Sequence, residues 1–343
     1  MSDISIRIEG RAGRITLQRP EALNALTYDM VLAIEAALDD WRDADIDLVI
    51  LDAEGDRAFC SGGDIADMYS SGQKGNLDYG RQFWRDEYRL NAKIFEYPKP
   101  VVSFLQGFTM GGGVGVGCHG SLRIVGDSSQ IAMPECGIGL VPDVGGSLML
   151  ALAPGRLGEY LGLTATRMGP ADAIFAGFAD AYAPEANWPA LKAQMIETGK
   201  LPALDTPAPD GALKATLHDI NRHFAGETLG DIARSLKGDD SDFAQGALKA
   251  LNRNAPLAMA CAMTIVRRLR SAHSVRQALD QEFRYTYRAV AQGDFIEGIR
   301  AAIIDRDRSP KWAHDGPEAV ADVDVSHMLM PLGAEALNWE EMP

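Results

Sequence analysis

The sequence predicts an α/β core over residues 1–200 followed by a linker and a helical C-terminal region over 201–343. Three observations carry this. Short apolar strand segments alternate with helix-period segments through about residue 185, the pattern of an α/β fold. The stretch Leu201–Gly211 then holds three prolines and reads as a linker. Beyond it, helix-like segments follow one another at 247–251, 257–269, 275–291 and 295–304.

Ile4, Ile6 and Ile8 alternate with polar residues, and a turn at Arg11-Ala12-Gly13 leads to Ile15 and Leu17. That spacing predicts an N-terminal β-hairpin. Thr27 is a cap for a helix on which Met30, Ile34, Leu38 and Trp41 recur every three or four residues. Leu48–Leu51 is a short apolar strand leading into Ala58-Phe59-Cys60-Ser61-Gly62-Gly63-Asp64. A helix from Asp78 to Phe95 carries Phe83, Leu90 and Ile94 on one face and stops before Pro98 and Pro100. Val101–Leu105 is the next buried strand; after it come Gly107, the triplet Gly111-Gly112-Gly113, and strand-like segments at 122–125 and 131–133. A loop spans Pro134 to Gly146.

Composition narrows the function classes. The 343 residues carry 33 Lys+Arg against 48 Asp+Glu, a formal net charge of −15. Nucleic acid is not the expected partner of so acidic a chain, because phosphate binding needs a basic footprint. The four cysteines, Cys60, Cys118, Cys136 and Cys261, form no CxxC and no regular spacing, which argues against a disulfide scaffold or zinc ribbon and for a reducing compartment. The opening residues lack a basic segment followed by an apolar one, and nowhere do 18 apolar residues run together. The expectation is a cytoplasmic protein with no membrane partner.

Two glycine clusters head the candidate chemistry. Gly62-Gly63 follows a strand, and Gly111-Gly112-Gly113 stands between a strand and a helix start near Val114. Loops of this kind bring free backbone N–H groups close to a ligand, and two of them can form an oxyanion hole; the plainer reading is two tight turns required for packing. Neither cluster matches GxGxxG or GxxxxGK[ST], so dinucleotide and P-loop sites are excluded. Glu135 and Asp143 each follow a proline in an otherwise apolar, Gly- and Pro-shaped loop, as a general acid/base pair or as loop acids capping helices. Glu87 falls on the apolar face of its helix, where a carboxylate is either paired or facing a cleft. His119 reads as packed, and the six histidines show no HExxH spacing. No GxSxG elbow is present, and Arg267, Arg268 and Arg270 make a basic helix patch, either solvated or meeting an anion.

Taken in order, several segments resemble the crotonase (enoyl-CoA hydratase/isomerase) superfamily, and within it the 3-hydroxyisobutyryl-CoA hydrolases. They are Arg19-Pro20 to Asn24-Ala25-Leu26, the turn Phe59 to Asp64, Arg85-Asp86-Glu87-Tyr88 and Met110 to Gly115. Met133 to Gly139, Pro142 to Gly146, Asp294 to Arg300 and Ser309 to Trp312 continue the match, so it covers nearly the whole chain. The resemblance implies a spiral of ββα units that binds an acyl-CoA, with the backbone N–H groups of Gly63 and Gly112 as the oxyanion hole. It places Glu135 at the superfamily's acid/base position, Asp143 at the acid that the hydrolases carry before paired glycines, and Glu87 at a substrate-binding acid of the acyl site.

One departure separates the subfamilies. Hydratases carry a second catalytic glutamate two residues after the glycine triplet, where this chain has Gly115. Hydration places water between two carboxylates, so Gly115 together with Asp143 points to hydrolysis of a short 3-hydroxyacyl-CoA. The alternatives are an enoyl-CoA hydratase or isomerase of the same fold and a non-catalytic binding protein built on it. The resemblance implies no cofactor beyond the coenzyme A of the substrate and no metal, and homo-oligomerisation stays open.

Overall fold

The computed structural model describes residues 3–340. Among them the strands run β1 (Ile4–Glu9), β2 (Ala12–Leu17), β3 (Leu48–Ala53), β4 (Ala58–Cys60), β5 (Val101–Leu105), β6 (Phe108–Met110), β7 (Leu122–Val125), β8 (Gln130–Ala132) and β9 (Ala181–Tyr182). From β3 onward successive strands go alternately to two sheets. One is six-stranded, in the order β1-β2-β3-β5-β7-β9; the other has the order β4-β6-β8. Only β1 and β2 pair antiparallel, as the expected hairpin; all other pairs are parallel. Parallel neighbours need long crossovers, and helices at Asp78–Phe95 and Gly112–Gly117 supply two of them. Two strands and a helix thus repeat as a spiral of ββα turns.

The chain divides into two compact units that interleave along the sequence. One comprises the described residues up to Asp64, with Arg89–Ala132 and Arg167–Lys214; the other comprises Ile65–Tyr88, Met133–Thr166 and the described residues from Ala215 onward. The first contains both sheets. Its core gathers Ala12, Leu48, Ile50, Val102, Phe104 and Ile124 against Trp188 and Met195 of the helix Trp188–Thr198. Phe104 and Trp188 meet edge to face with ring centres 5.1 Å apart, a favoured aromatic geometry. The second unit is helical. Its helix Pro256–Arg268 is buried at Leu257, Met259, Cys261, Met263 and Ile265, hence on more than one face, as a central helix must be.

Local signals read from the sequence operate as expected. Thr27 accepts the Met30 N–H and starts the helix Tyr28–Trp41. The helix Asp78–Phe95 keeps its expected bounds. The strand–helix alternation, however, stops early. Between β8 and β9 lie three helices, Gly146–Leu152, Leu157–Thr164 and Pro170–Ala176. Short apolar runs punctuated by Gly and Pro do not reveal their own period, so strand and helix look alike there. The proline-rich stretch 201–211 has no regular structure, and the Asp172 carboxylate accepts the Leu213 N–H where the next helix begins.

Candidate active site

The first unit assembles the glycine loops. Leu26 N–H donates to the Gly62 carbonyl at 2.9 Å and Asp64 N–H to the Leu26 carbonyl at 2.7 Å, which leaves the Gly63 N–H between them outside the ladder. The loop is held from behind by the segment Arg19–Leu26. Buried Asn24 donates to the carbonyls of Glu54 and Ala58, both at 2.9 Å, and the Arg19 guanidinium reaches the Ala25 carbonyl and the Asp64 carboxylate. Gly62 sits at φ +119°, where a side chain would be strained. A Cβ there would lie 3.9 Å from the Gly112 nitrogen, so the two glycine loops are immediate neighbours. Gly112 opens the helix Gly112–Gly117, where its N–H has no intrahelical acceptor. Gly113 lets that helix press on β4: a Cβ on Gly113 would stand 2.3 Å from the Cys60 carbonyl oxygen.

The second unit gathers the acids. Glu87, Glu135, Asp143 and Glu282 are each at most 4% exposed. Glu87 comes from the helix Asp78–Phe95, Glu135 opens a 3-10 turn at Glu135–Ile138, and Asp143 precedes the helix Gly146–Leu152. Tyr88 donates its hydroxyl to Asp143 Oδ2 at 2.7 Å and lies 3.4 Å from Thr286 Oγ1. Glu87 Oε1 and Glu135 Oε2 are buried with no hydrogen-bond partner. Unpaired buried carboxylate oxygens are costly and mark places where a ligand or water completes the set.

Each carboxyl titrates far above its ordinary range. Burial drives Glu87 up most, and the charge of Asp143 adds to it. For Glu135, burial again leads, followed by the charges of Asp143, Glu282 and Glu87. Asp143 is raised by burial, but the Tyr88 hydroxyl opposes the shift by stabilising its anion. Of Glu87 and Asp143, which repel each other, Asp143 therefore ionises first and Glu87 keeps the proton. Burial pushes Glu282 up to about 8, against the donors that hold it.

The structure thus brings Gly63 and Gly112 into adjoining loops and Glu87, Glu135 and Asp143 into one acidic cluster. Sequence reasoning missed two members of that cluster. Tyr88 stands next to Glu87, and Glu282 belongs to the helix Val275–Gln292, three residues after buried Leu279 and four before buried Thr286. The test applied to Glu87, a carboxylate on an apolar helix face, would have found Glu282 as well.

Other candidates resolve into structural roles. His119 packs edge to face on Phe95 with ring centres 5.8 Å apart. Arg267 and Arg270 do not form an open anion site, because both point to the buried carboxylate of Glu159, at 3.3 and 2.7 Å, alongside Arg156. Among the described residues no three His, Cys, Asp or Glu side chains are grouped to hold a metal ion. All four cysteines are buried and none is in a disulfide. Burial raises the Cys118 thiol to about 12 and the Cys136 and Cys261 thiols well above their usual value, the reverse of what a thiolate nucleophile requires. Single Cys60→Ala, Cys118→Ala and Cys136→Ala variants should keep turnover within about tenfold of wild type, since no base activates them. A loss as large as that of a Glu135 variant, measured by steady-state kinetics, would show a thiol mechanism.

A family model described as Enoyl-CoA hydratase/isomerase matches residues 12–329. The chain belongs to the enoyl-CoA hydratase/isomerase family. Proteins named 3-hydroxyisobutyryl-CoA hydrolase, mitochondrial, are similar to it: that of Gallus gallus is 34% identical over 98% of this chain and 91% of its own length, and that of Rattus norvegicus 35% over the same shares. Among solved structures of the family, one described as an enoyl-CoA hydratase from Rhodobacter sphaeroides 2.4.1 superposes with a TM-score of 0.96. It is 57% identical, with 98% of this chain and 100% of that one covered. Another, described as a carnitinyl-CoA dehydratase from Mycobacterium thermoresistibile, gives a TM-score of 0.93 at 37% identity over 99% of both chains. The crotonase fold and the spiral of ββα units expected from the motifs are therefore established. No helix among the described residues is long and apolar enough to cross a membrane.

Proposed function

We propose that this protein hydrolyses a short 3-hydroxyacyl-CoA thioester, 3-hydroxyisobutyryl-CoA first among them, to the hydroxy acid and coenzyme A. The observation that carries the reading is the Glu135 carboxylate, buried, unpartnered at Oε2 and raised in pKa beside Asp143, in a chain with glycine at position 115. Burial raises the basicity of this group, so its ionised form takes a proton from water more readily than an ordinary carboxylate does. Curated relatives over nearly the whole chain carry the same activity in their names.

In this reading the Gly63 and Gly112 N–H groups receive the thioester oxygen as it becomes an oxyanion. Glu135 takes the proton of the attacking water; alternatively its carboxylate attacks the carbonyl carbon to give an anhydride that water then opens. The C–S bond breaks on collapse of the tetrahedral intermediate, and the thiolate leaves as an already weak base. Asp143, whose anion the Tyr88 hydroxyl stabilises, accepts the hydroxyl of the substrate, and Glu87, raised by burial and by Asp143, lines the acyl site as a donor. Coenzyme A is part of the substrate, and no separate cofactor or metal enters. Four cysteines outside any disulfide support a reducing compartment, for which we propose the cytoplasm, although the relatives' names place them in mitochondria.

A second reading, alkene hydration, takes its support from the 57% identical structure, which is described as an enoyl-CoA hydratase. Thiol release from 3-hydroxyisobutyryl-CoA, measured beside hydration of crotonyl-CoA, decides between them. Hydrolysis with crotonyl-CoA almost untouched is expected, and comparable or faster hydration would overturn the proposal. Release from neither, with acyl-CoA binding retained, would leave a binding protein.

Asp143→Asn tests the hydroxyl assignment. The variant should erase most of the wild-type preference for the hydroxyacyl-CoA over the same acyl-CoA lacking the hydroxyl, because a site built to bind a hydroxyl discriminates through it. Equal slowing of both substrates would move Asp143 into the bond-breaking machinery.

A further inference from the structure

The turn that carries Asp143 is strained, and its restraint comes from far along the chain. Val144 lies at φ +54°, a region that β-branched residues rarely enter, and Gly145 follows at φ +78°. Such a turn persists only where its surroundings impose it. The helix that follows, Gly146–Leu152, has Gly145 at its cap and no side-chain cap of its own. At its start the Gly146 N–H closes the turn on the Asp143 carbonyl at 2.7 Å, and Glu282 takes the N–H groups on either side. The Glu282 carboxylate, fully buried, accepts the Gly145 N–H at 2.8 Å on Oε2 and the Ser147 N–H at 3.1 Å on Oε1, with the Ser147 hydroxyl donating to Oε1 as well.

From this geometry we infer that Glu282 is a positioning residue for Asp143, fixing the Asp143–Ser147 turn so that the Asp143 carboxylate stays on the Tyr88 hydroxyl. The inference rests on the role given to Asp143 above. Two features separate it from ordinary helix capping. A solvated cap needs no carboxylate brought from 137 residues away into a dry site, where an anion is costly. The charges of Glu282 and Asp143 also oppose each other, so the clamp lies within electrostatic reach of the acid it holds. The ionised carboxylate offers an acceptor at both oxygens to all three donors. A glutamine in this place turns an NH2 toward one of the backbone N–H groups and leaves that group unmatched.

The test is a double-mutant cycle on the full chain, read by thiol release from 3-hydroxyisobutyryl-CoA, together with crystal structures of the single variants. Glu282→Gln should lower kcat/KM for 3-hydroxyisobutyryl-CoA about 10- to 100-fold and weaken the preference for the hydroxyacyl-CoA, as Asp143→Asn does, yet lower kcat/KM less than about threefold further in an Asp143→Asn background, because residues acting through one another are non-additive. In the crystal, Val144 should leave its positive φ and the Tyr88–Asp143 hydrogen bond should lengthen. Full multiplication of the two losses, or an unchanged turn in Glu282→Gln, would overturn the inference. Should Glu282→Gln fail to fold, Ser147→Ala, which removes a single donor, enters the same cycle and the same structural comparison, with the same outcomes supporting or overturning the clamp. Should the wild-type protein release no thiol, the functional reading fails while the crystal structures still decide the clamp.

Discussion

Glu135→Gln should reduce kcat for thiol release at least about 10²-fold while KM moves little, the signature of a lost general base or nucleophile. Glutamine keeps the size of the side chain and most of its contacts but neither accepts a proton nor attacks a carbonyl. The same substitution should raise stability at alkaline pH. Burial lifts the folded-state pKa of Glu135 well above its ordinary value of 4.5, so the folded protein holds a proton that the unfolded chain gives up. Stability contributed by such a group is complete below the unfolded pKa and falls as pH rises toward the folded one. Glutamine does not titrate and escapes that loss. The Tm advantage of Glu135→Gln should therefore be small at pH 5 and a few degrees at pH 8, on the scale of about 2–4 °C per kcal/mol for large domains. Calorimetry at the two pH values checks it; an equal advantage at both would trace the effect to packing.

The second large effect belongs to the glycine loops. Gly113→Ala should lower kcat by about 10²–10³, the usual consequence of losing one oxyanion donor. Its new Cβ would meet the Cys60 carbonyl oxygen at 2.3 Å and the Cys60 Cβ at 2.9 Å. Backbone presses on backbone there, so no rotamer change relieves the contact, and the helix Gly112–Gly117 must move off β4. The Gly112 N–H moves with it and leaves its place beside Gly62-Gly63. Gly246→Ala is the control, on the helix Asp242–Arg253 with open space at its Cβ. It should leave kcat unchanged and stabilise the helix by about 0.5–1 kcal/mol. Circular dichroism separates misfolding from a displaced helix, and a Gly113→Ala enzyme with kcat within about threefold of wild type would remove the hole from the mechanism.

Much of this protein was legible in its residues alone. Alternation of Ile4, Ile6 and Ile8 marked the hairpin, the cap at Thr27 marked a helix start, and Glu87 on an apolar face announced a special carboxylate. Such features depend on neighbours within one or two turns of chain, so local physics determines them. The three-membered sheet was not legible as a sheet. Its strands β4, β6 and β8 span three residues each, too few to express a period, and only pairing with distant strands makes them strands. The helices between β8 and β9 were hidden for a similar reason.

Local sequence identified Glu135 and Asp143 as candidates but could not choose between acid/base chemistry and helix capping, since both place an acid after a proline in a loop. Resemblance to a family supplied that choice, and the structure supplied what surrounds each acid. What only the tertiary structure decided is ionisation. Whether Asp143 or Glu87 holds the proton depends on the Tyr88 hydroxyl, 55 residues away from Asp143. The turn carrying Asp143 depends on Glu282, 137 residues beyond Gly145. A carboxyl's pKa follows from how much water it loses and which charges and donors replace that water, and those are properties of packing between remote segments, which sequence order does not contain.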